Sequence, residues 1–195
     1  LPFDRLRQTC ADLFGQNISL GTLSTINARA YEVLAPVETA IIQALTQAPA
    51  VHADESGLRV KGKLHWLHVV STPFLTFYGV HGNRGAEAMD ALGVLAHCKA
   101  WLIHDFWKPY LKYDALHALC NQHLLRELKF LFEQCGELWA DKLSRFLLDW
   151  KSDPRARDGL EEDVFDQAHL QYQCILAEGR RKHPRRKPGE GRAKQ

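Results

Sequence analysis

Ala50-Val51-His52-Ala53-Asp54, Lys63–Ser71 (KLHWLHVVS), Phe74–His81 (FLTFYGVH) and Lys99–Asp105 (KAWLIHD) are the stretches that decide the fold. Each is short and apolar, and turn residues (Gly57 to Gly62, Thr72-Pro73) separate the first three. In the second run Leu64, Trp66, His68 and Val70 alternate with His65, Leu67 and Val69, as in a strand lying between two layers. Gly85–Leu95 (GAEAMDALGVL) has helical spacing and stands between the third run and the fourth. Three strands in a meander, a crossover helix and a fourth strand make a mixed sheet in an α/β domain.

Helices are expected on both sides of that core. Upstream, residues 4–14 and 20–47 carry apolar residues at helical intervals, with Gly15-Gln16-Asn17 as a turn, Ser19 as N-cap and Pro36 as a kink or split. The pair is also a loose helix-turn-helix pattern, although packing is the commoner use of two such helices. From Tyr113 onward the chain reads as almost entirely helical, over 114–134, 138–151 and 160–178, with a break at Asp153-Pro154. The expected segments are therefore 1–48 helical, 49–113 sheet core, 114–182 a helical insertion, and 183–195 a basic tail in loop conformation.

Composition narrows the class of function. No apolar stretch approaches the ~20 residues that span a bilayer, and no signal pattern opens the chain, so no membrane partner is expected. Five scattered cysteines, without paired spacing, point to a reducing cytoplasmic setting rather than a disulfide framework. The net charge of +2 hides an asymmetry. Residues 180–195 hold eight basic residues against Glu190, a net +7, which leaves the other 179 residues at −5. An acidic body suits cation binding and a basic end suits a polyanion, although a solvated tail explains the charge equally well.

Two acids end apolar runs: Asp54 closes VHAD and Asp105 closes WLIHD. If those strands are neighbours, the two carboxylates emerge together at one edge of the sheet. Like charges so placed repel, and a divalent cation between them is the usual remedy. Magnesium takes carboxylate oxygens, keeps several waters and completes its shell with phosphate oxygens. Taken alone, an Asp at a strand end is more often a turn former. Phe106-Trp107-Lys108-Pro109-Tyr110-Leu111-Lys112 follows the second acid. There Lys108 and Lys112 are candidates for phosphate contacts on DNA, and Trp107 and Tyr110 either meet a base or pack the loop. Cys120 and His123 have the spacing of half a zinc site, but helical neighbours three apart also share a packing face.

In order along the chain, HADESGLRV (52–60), KLHWLHVVST (63–72), WLIHDFWKPY (101–110) and HALCNQHLLRELKFL (117–131) resemble the insertion-sequence-66 family of bacterial DDE transposases. The resemblance extends to LPFDRLRQTCADLFGQNISLGTL at the start and GEGRAKQ at the end. It implies an RNase H-like core in which Asp54 and Asp105 are the first two catalytic, metal-binding acids, holding Mg2+ or Mn2+, with His104, Trp107 and Tyr110 completing the second motif. It implies a DNA transposase that hydrolyses DNA at element ends and transfers the strand, acting as a homo-oligomer assembled on DNA and nucleoid-associated when bound. The family's third acid is a Glu in an Asn-Asn-x-x-Glu-Arg-like motif, which this sequence does not contain. Glu127 has a tolerable spacing for that role but belongs by resemblance to the helical insertion. The expectation is thus a truncated catalytic domain, inactive alone, or else a non-catalytic DNA-binding or assembly piece of a transposase. The missing initiator Met likewise suggests a piece of something longer.

Overall fold

The computed structural model describes residues 2–156 and 161–184. Helix α1 (Phe3–Phe14) and helix α2 (Leu20–Thr46) come first, and Ser19 caps α2 by accepting the Thr22 backbone N–H at 3.0 Å. Of the two outcomes expected at Pro36, a kink or a split, the split does not occur: α2 runs unbroken through it. Its flank of the helix is exposed, so the Glu32 carbonyl that loses its intrahelical donor can be satisfied by water.

Five strands follow: β1 (Ala50–Val60), β2 (Lys63–Ser71), β3 (Thr76–His81), then after helix α3 (Ala86–Leu92) β4 (Trp101–His104) and β5 (Leu116–Leu119). They form one mixed sheet in the order β3-β2-β1-β4-β5. β1 and β2 are antiparallel, as are β2 and β3, whereas β1 and β4 are parallel. The α/β class and the mixed sheet expected from the sequence are both present.

Three details depart from the sequence reading. β1 runs on through Gly57 to Val60, so the hairpin turn is only Lys61-Gly62, and Asp54 lies mid-strand rather than at a strand end. The φ values of 50° and 79° at those two residues suit the two-residue turn whose twist matches antiparallel strands. Leu116–Leu119 is a strand rather than the start of a helix, held at the sheet by the Leu116 N–H on the Ala100 carbonyl at 3.0 Å. Four residues are too few for a period-2 pattern to declare itself against the helical spacing that follows. Finally, α3 stops at Leu92, because Gly93 turns the chain in the left-handed region at φ 71°.

One face of the sheet is dry. Val51, Ala53, Val70, Phe77 and Leu102 point into a core with Leu45 from α2, Met89 from α3, and Val94, Leu95 and Cys98 from the connection to β4. Gly79 lets α3 approach β3 closely: a Cβ there would lie 2.4 Å from a Leu92 methyl. The opposite face carries His52, Asp54 and Ser56 of β1, all exposed, together with exposed Tyr78, Val80 and Trp101.

By compactness the chain divides into residues 1–118 and 119–195. The second unit contains α4 (Asn121–Cys135), α5 (Leu138–Ser152) and α6 (Glu162–Lys182), with α5 packed against both others. Leu128, Ala140, Leu143 and Ile175 form its core, flanked by Trp139, Phe146 and Tyr172. The end of the expected basic tail, from residue 185, lies outside the described residues.

Gly179 supplies a test of this helical packing. A Cβ at that position would stand 2.8 Å from the Trp139 ring. Gly179→Ala gains about 1 kcal/mol of helix propensity, whereas overpacking against a ring costs about 1–3 kcal/mol. The expected net result is a loss of about 1 kcal/mol in urea unfolding. A more stable variant would show that Trp139 has room to move.

Candidate active site

The parallel pairing of β1 and β4 brings the two aspartates together. The paired residues are Ala50 with Trp101, Val51 with Leu102 and His52 with Ile103. Continued two residues beyond the ladder, that register would bring Asp54 opposite Asp105. Asp54 shares the exposed face of His52, and Asp105 is half-buried. β4 ends at His104, and Asp105 is the first residue beyond it.

The turn after Asp105 is tightly specified. Phe106 has φ 68°, a left-handed conformation that costs a residue with a Cβ about 1–2 kcal/mol. Two hydrogen bonds hold it there. The Phe106 N–H donates to His104 Nδ1 at 3.0 Å, and the Trp107 N–H donates to Asp105 Oδ1 at 2.9 Å. Asp54 is fixed in a similar way, its Oδ1 accepting the Glu55 N–H at 2.8 Å. In both aspartates Oδ1 is thus committed to a neighbouring amide, and no protein hydrogen bond to Oδ2 is present among the described residues.

His104 is fully buried rather than facing a substrate phosphate. Because its Nδ1 accepts from Phe106, Nε2 carries the proton and donates to His117 Nδ1 at 3.0 Å. His117 Nε2 in turn donates to the Tyr113 carbonyl at 3.1 Å. Burial, followed by repulsion from His117, pushes the His104 pKa down, against a smaller opposing pull from Asp105. His104 is therefore a neutral strut under the Asp105 turn.

Beneath the aspartates lies a buried charge that sequence reading missed. The Glu55 side chain is completely buried. Its Oε1 accepts from Arg84 Nε at 2.9 Å and Nη2 at 2.8 Å, and its Oε2 accepts from the Tyr110 hydroxyl. The Arg84 guanidinium lies over two indoles, 4.9 Å from Trp66 and 4.2 Å from Trp107. Burial raises the Tyr110 pKa far above its usual value, reinforced by the Glu55 hydrogen bond and by the charges of Glu55, Asp105 and Asp54. Tyr110 and Trp107 belong to the core, which favours the packing role over base contact for both rings.

The two candidate DNA-binding lysines fare differently. Lys108 is exposed and makes no ion pair among the described residues. Lys112 is paired with Asp90 and lies 5.1 Å from the centre of the Tyr113 ring. Glu127 is exposed on α4, in the helical unit. Cys120 stands at the N-cap position of α4 without a side-chain capping hydrogen bond, and His123 lies in the first turn, with its Nδ1 buried and unpartnered among the described residues. Among the described residues no three His, Cys, Asp or Glu side chains gather as a group able to hold a metal ion. No described helix is long and apolar enough to cross a membrane.

Lys112 offers a pH test. Its hydrogen bond is the main cause that holds the Asp90 carboxyl below its ordinary value of 3.8, helped by the Tyr113 hydroxyl and opposed by burial. A carboxyl lowered on folding adds stability above its unfolded value and loses it as pH falls through the folded one. The pair is half-exposed, so Lys112→Met should cost no more than about 1 kcal/mol at pH 7. That difference should shrink in urea unfolding as pH falls below 3.8. A difference that persists at low pH would mean that Lys112 acts through packing.

Comparison with known proteins follows from this geometry. No curated protein matches the chain. Solved structures that resemble it include the HTLV-2 integrase catalytic core domain in complex with magnesium (trimeric form). That chain is 14% identical, with 63% of this chain and 81% of that one covered at a TM-score of 0.31. Another is the simian T-cell lymphotropic virus intasome in complex with PP2A regulatory subunit B56 gamma. It is 13% identical over 74% of this chain and 58% of that one, again at a TM-score of 0.31. Likenesses this loose carry no argument about the site. The sequence pattern of the Transposase IS66 family, by contrast, matches residues 1–191 and so takes in both aspartates, the buried glutamate and the helical unit. The chain belongs to the IS66 transposase family.

Proposed function

We propose that Asp54 and Asp105 are the first two metal-holding acids of a DNA-cutting and strand-transferring site, loaded with Mg2+ or Mn2+. The observation that supports this reading is the parallel β1–β4 pairing, whose register, continued two residues past its end, would bring exposed Asp54 opposite half-buried Asp105. The donor set fits a hard cation. Each aspartate keeps an oxygen without a described protein partner, and Glu55, the nearest other acid in sequence, is spent on Arg84 and Tyr110. The bound ions would supply an activated water or 3′-hydroxyl and neutralise charge on the phosphate under attack.

The chain's own residues orient and position. The Glu55 and Trp107 amides hold one oxygen of each aspartate, which leaves the other for the cation. Lys108, exposed three residues beyond Asp105, is placed to meet a DNA phosphate. Lys112 would have to leave Asp90 first. Cutting and joining two element ends requires both to be held at once, which supports a homo-oligomer assembled on DNA. All five cysteines are free, in keeping with a reducing bacterial cytoplasm.

A second reading, a DNA-binding or assembly piece without catalysis, is favoured by one observation. Among the described residues no third acid joins Asp54 and Asp105 in a group able to hold a metal. The two readings part on metal and on cleavage. Asp54→Ala or Asp105→Ala in the complete transposase should abolish Mg2+-dependent cleavage of element ends while leaving the thermal midpoint nearly unchanged. Cleavage retained by either variant sinks the catalytic assignment. Lys108→Ala should weaken DNA binding about equally for all sequences and make the salt dependence shallower by about one ion. An unchanged salt slope would remove Lys108 from the DNA contact.

A further inference from the structure

We infer that Glu55, held by Arg84 and Tyr110, is a positioning residue that sets the separation of Asp54 and Asp105. The inference rests on the reading of those two aspartates as the metal-holding pair. Glu55 follows Asp54 on β1 and points to the opposite face, into the dry side of the sheet. Its two oxygens fasten two other segments to β1. Tyr110 comes from the short helical turn five residues after Asp105, and Arg84 comes from the connection between β3 and α3.

Arg84 extends the clamp further. Its guanidinium lies against Trp66 of β2 on one hand and Trp107, two residues beyond Asp105, on the other. One carboxylate thus ties β1, β2 and the segment after β4 into a single body, within a few covalent bonds of each aspartate. The ladder between β1 and β4 extends over only three residue pairs and stops short of both aspartates. Beyond it, no backbone pairing holds Asp105 at a set distance from Asp54, and the clamp takes over that task.

The chemistry separates positioning from ligation. A buried ionised carboxylate costs several kcal/mol of desolvation, and a well-packed apolar side chain often stabilises a fold as well or better. A charge kept here at that cost is understandable if it orders the residues on either side. Both Glu55 oxygens already accept hydrogen bonds, and a carboxylate facing the core does not share a cation with Asp54 on the other face.

The experiment is Mn2+ titration calorimetry on the 195-residue chain, with amide hydrogen exchange measured on the same samples without metal. The variants are Arg84→Ala, Arg84→Lys and Tyr110→Phe, beside Asp54→Ala and Asp105→Ala. Tyr110→Phe keeps the ring and removes only the hydroxyl, so it guards against simple misfolding. Arg84→Ala and Tyr110→Phe should each weaken Mn2+ binding about tenfold or more, as loss of an outer-shell partner does, with Arg84→Lys intermediate. In the same two variants the Phe106 and Trp107 amides should exchange about tenfold faster, while amides of the β1–β2 pairing keep their protection.

Equal or tighter Mn2+ binding by Arg84→Ala would overturn the inference, since that is what freeing a ligand would do. Unchanged exchange at Phe106 and Trp107 would overturn it as well. Failure of the functional reading looks different: Mn2+ binding is absent from the wild-type chain or survives in both aspartate variants. In that case the exchange measurement still decides whether the clamp holds the Asp105 turn.

Discussion

Three backbone pairs between β1 and β4 carry a disproportionate share of this structure. Parallel strands cannot be joined by a tight turn, so the chain between them must travel out and back, here through β2, β3 and α3. That excursion covers one face of the sheet with Met89, Val94, Leu95 and Cys98 and leaves the other face open. The pairing sits at the middle of the strand order, so the two segments that carry the aspartates leave the ladder at the sheet's centre. A one-residue slip of β4 would turn Leu102 and His104 outward and Asp105 inward, toward the dry face. The apolar core and the acidic pair are consequences of the same register.

Burial of polar groups follows the same geography. Glu55, His68 and His104 are the polar residues buried among the described part of the chain, and all three lie on the dry side of the sheet near the aspartates. Glu55 has Arg84 and Tyr110, and His104 has His117 and the Phe106 amide. His68 pairs with Glu55 across β1 and β2 and contacts the Asn83 carbonyl at 3.4 Å, one residue before Arg84. Such networks are costly unless satisfied, and here they are satisfied by residues that also shape the Asp105 turn. The helical unit has simpler physics: an apolar seam along α5, small residues where helices approach, and surface pairs such as Lys142 with Glu178.

Much of this was legible in the order of residues. Strand and helix types followed from periodicity, Ser19 from cap chemistry, and the family from a resemblance that the family match upholds. The strand Leu116–Leu119 was not legible, because four residues carry no clear period and a strong helical pattern begins just after them. Nor was the extension of β1 through Gly57, where a glycine that usually signals a turn instead lies in a strand against Leu64 and Trp66. Trp107 and Tyr110 could be read as base contacts or as packing, since sequence shows an aromatic without showing which way it faces.

By itself the sequence determined the alternation of strands and helices and the family, since these depend on local pattern and on short motifs. Only the tertiary structure decided which acids are exposed and which are buried. Asp54 and Glu55 are neighbours in sequence with nearly the same chemistry, yet strand geometry sends them to opposite faces. One then keeps an oxygen without a described protein partner, while the other is consumed by an arginine 29 residues away and a tyrosine 55 residues away. No local rule connects those positions. They meet because a parallel sheet and its crossover bring distant segments into one small volume, where a buried charge must find whatever partners the fold supplies.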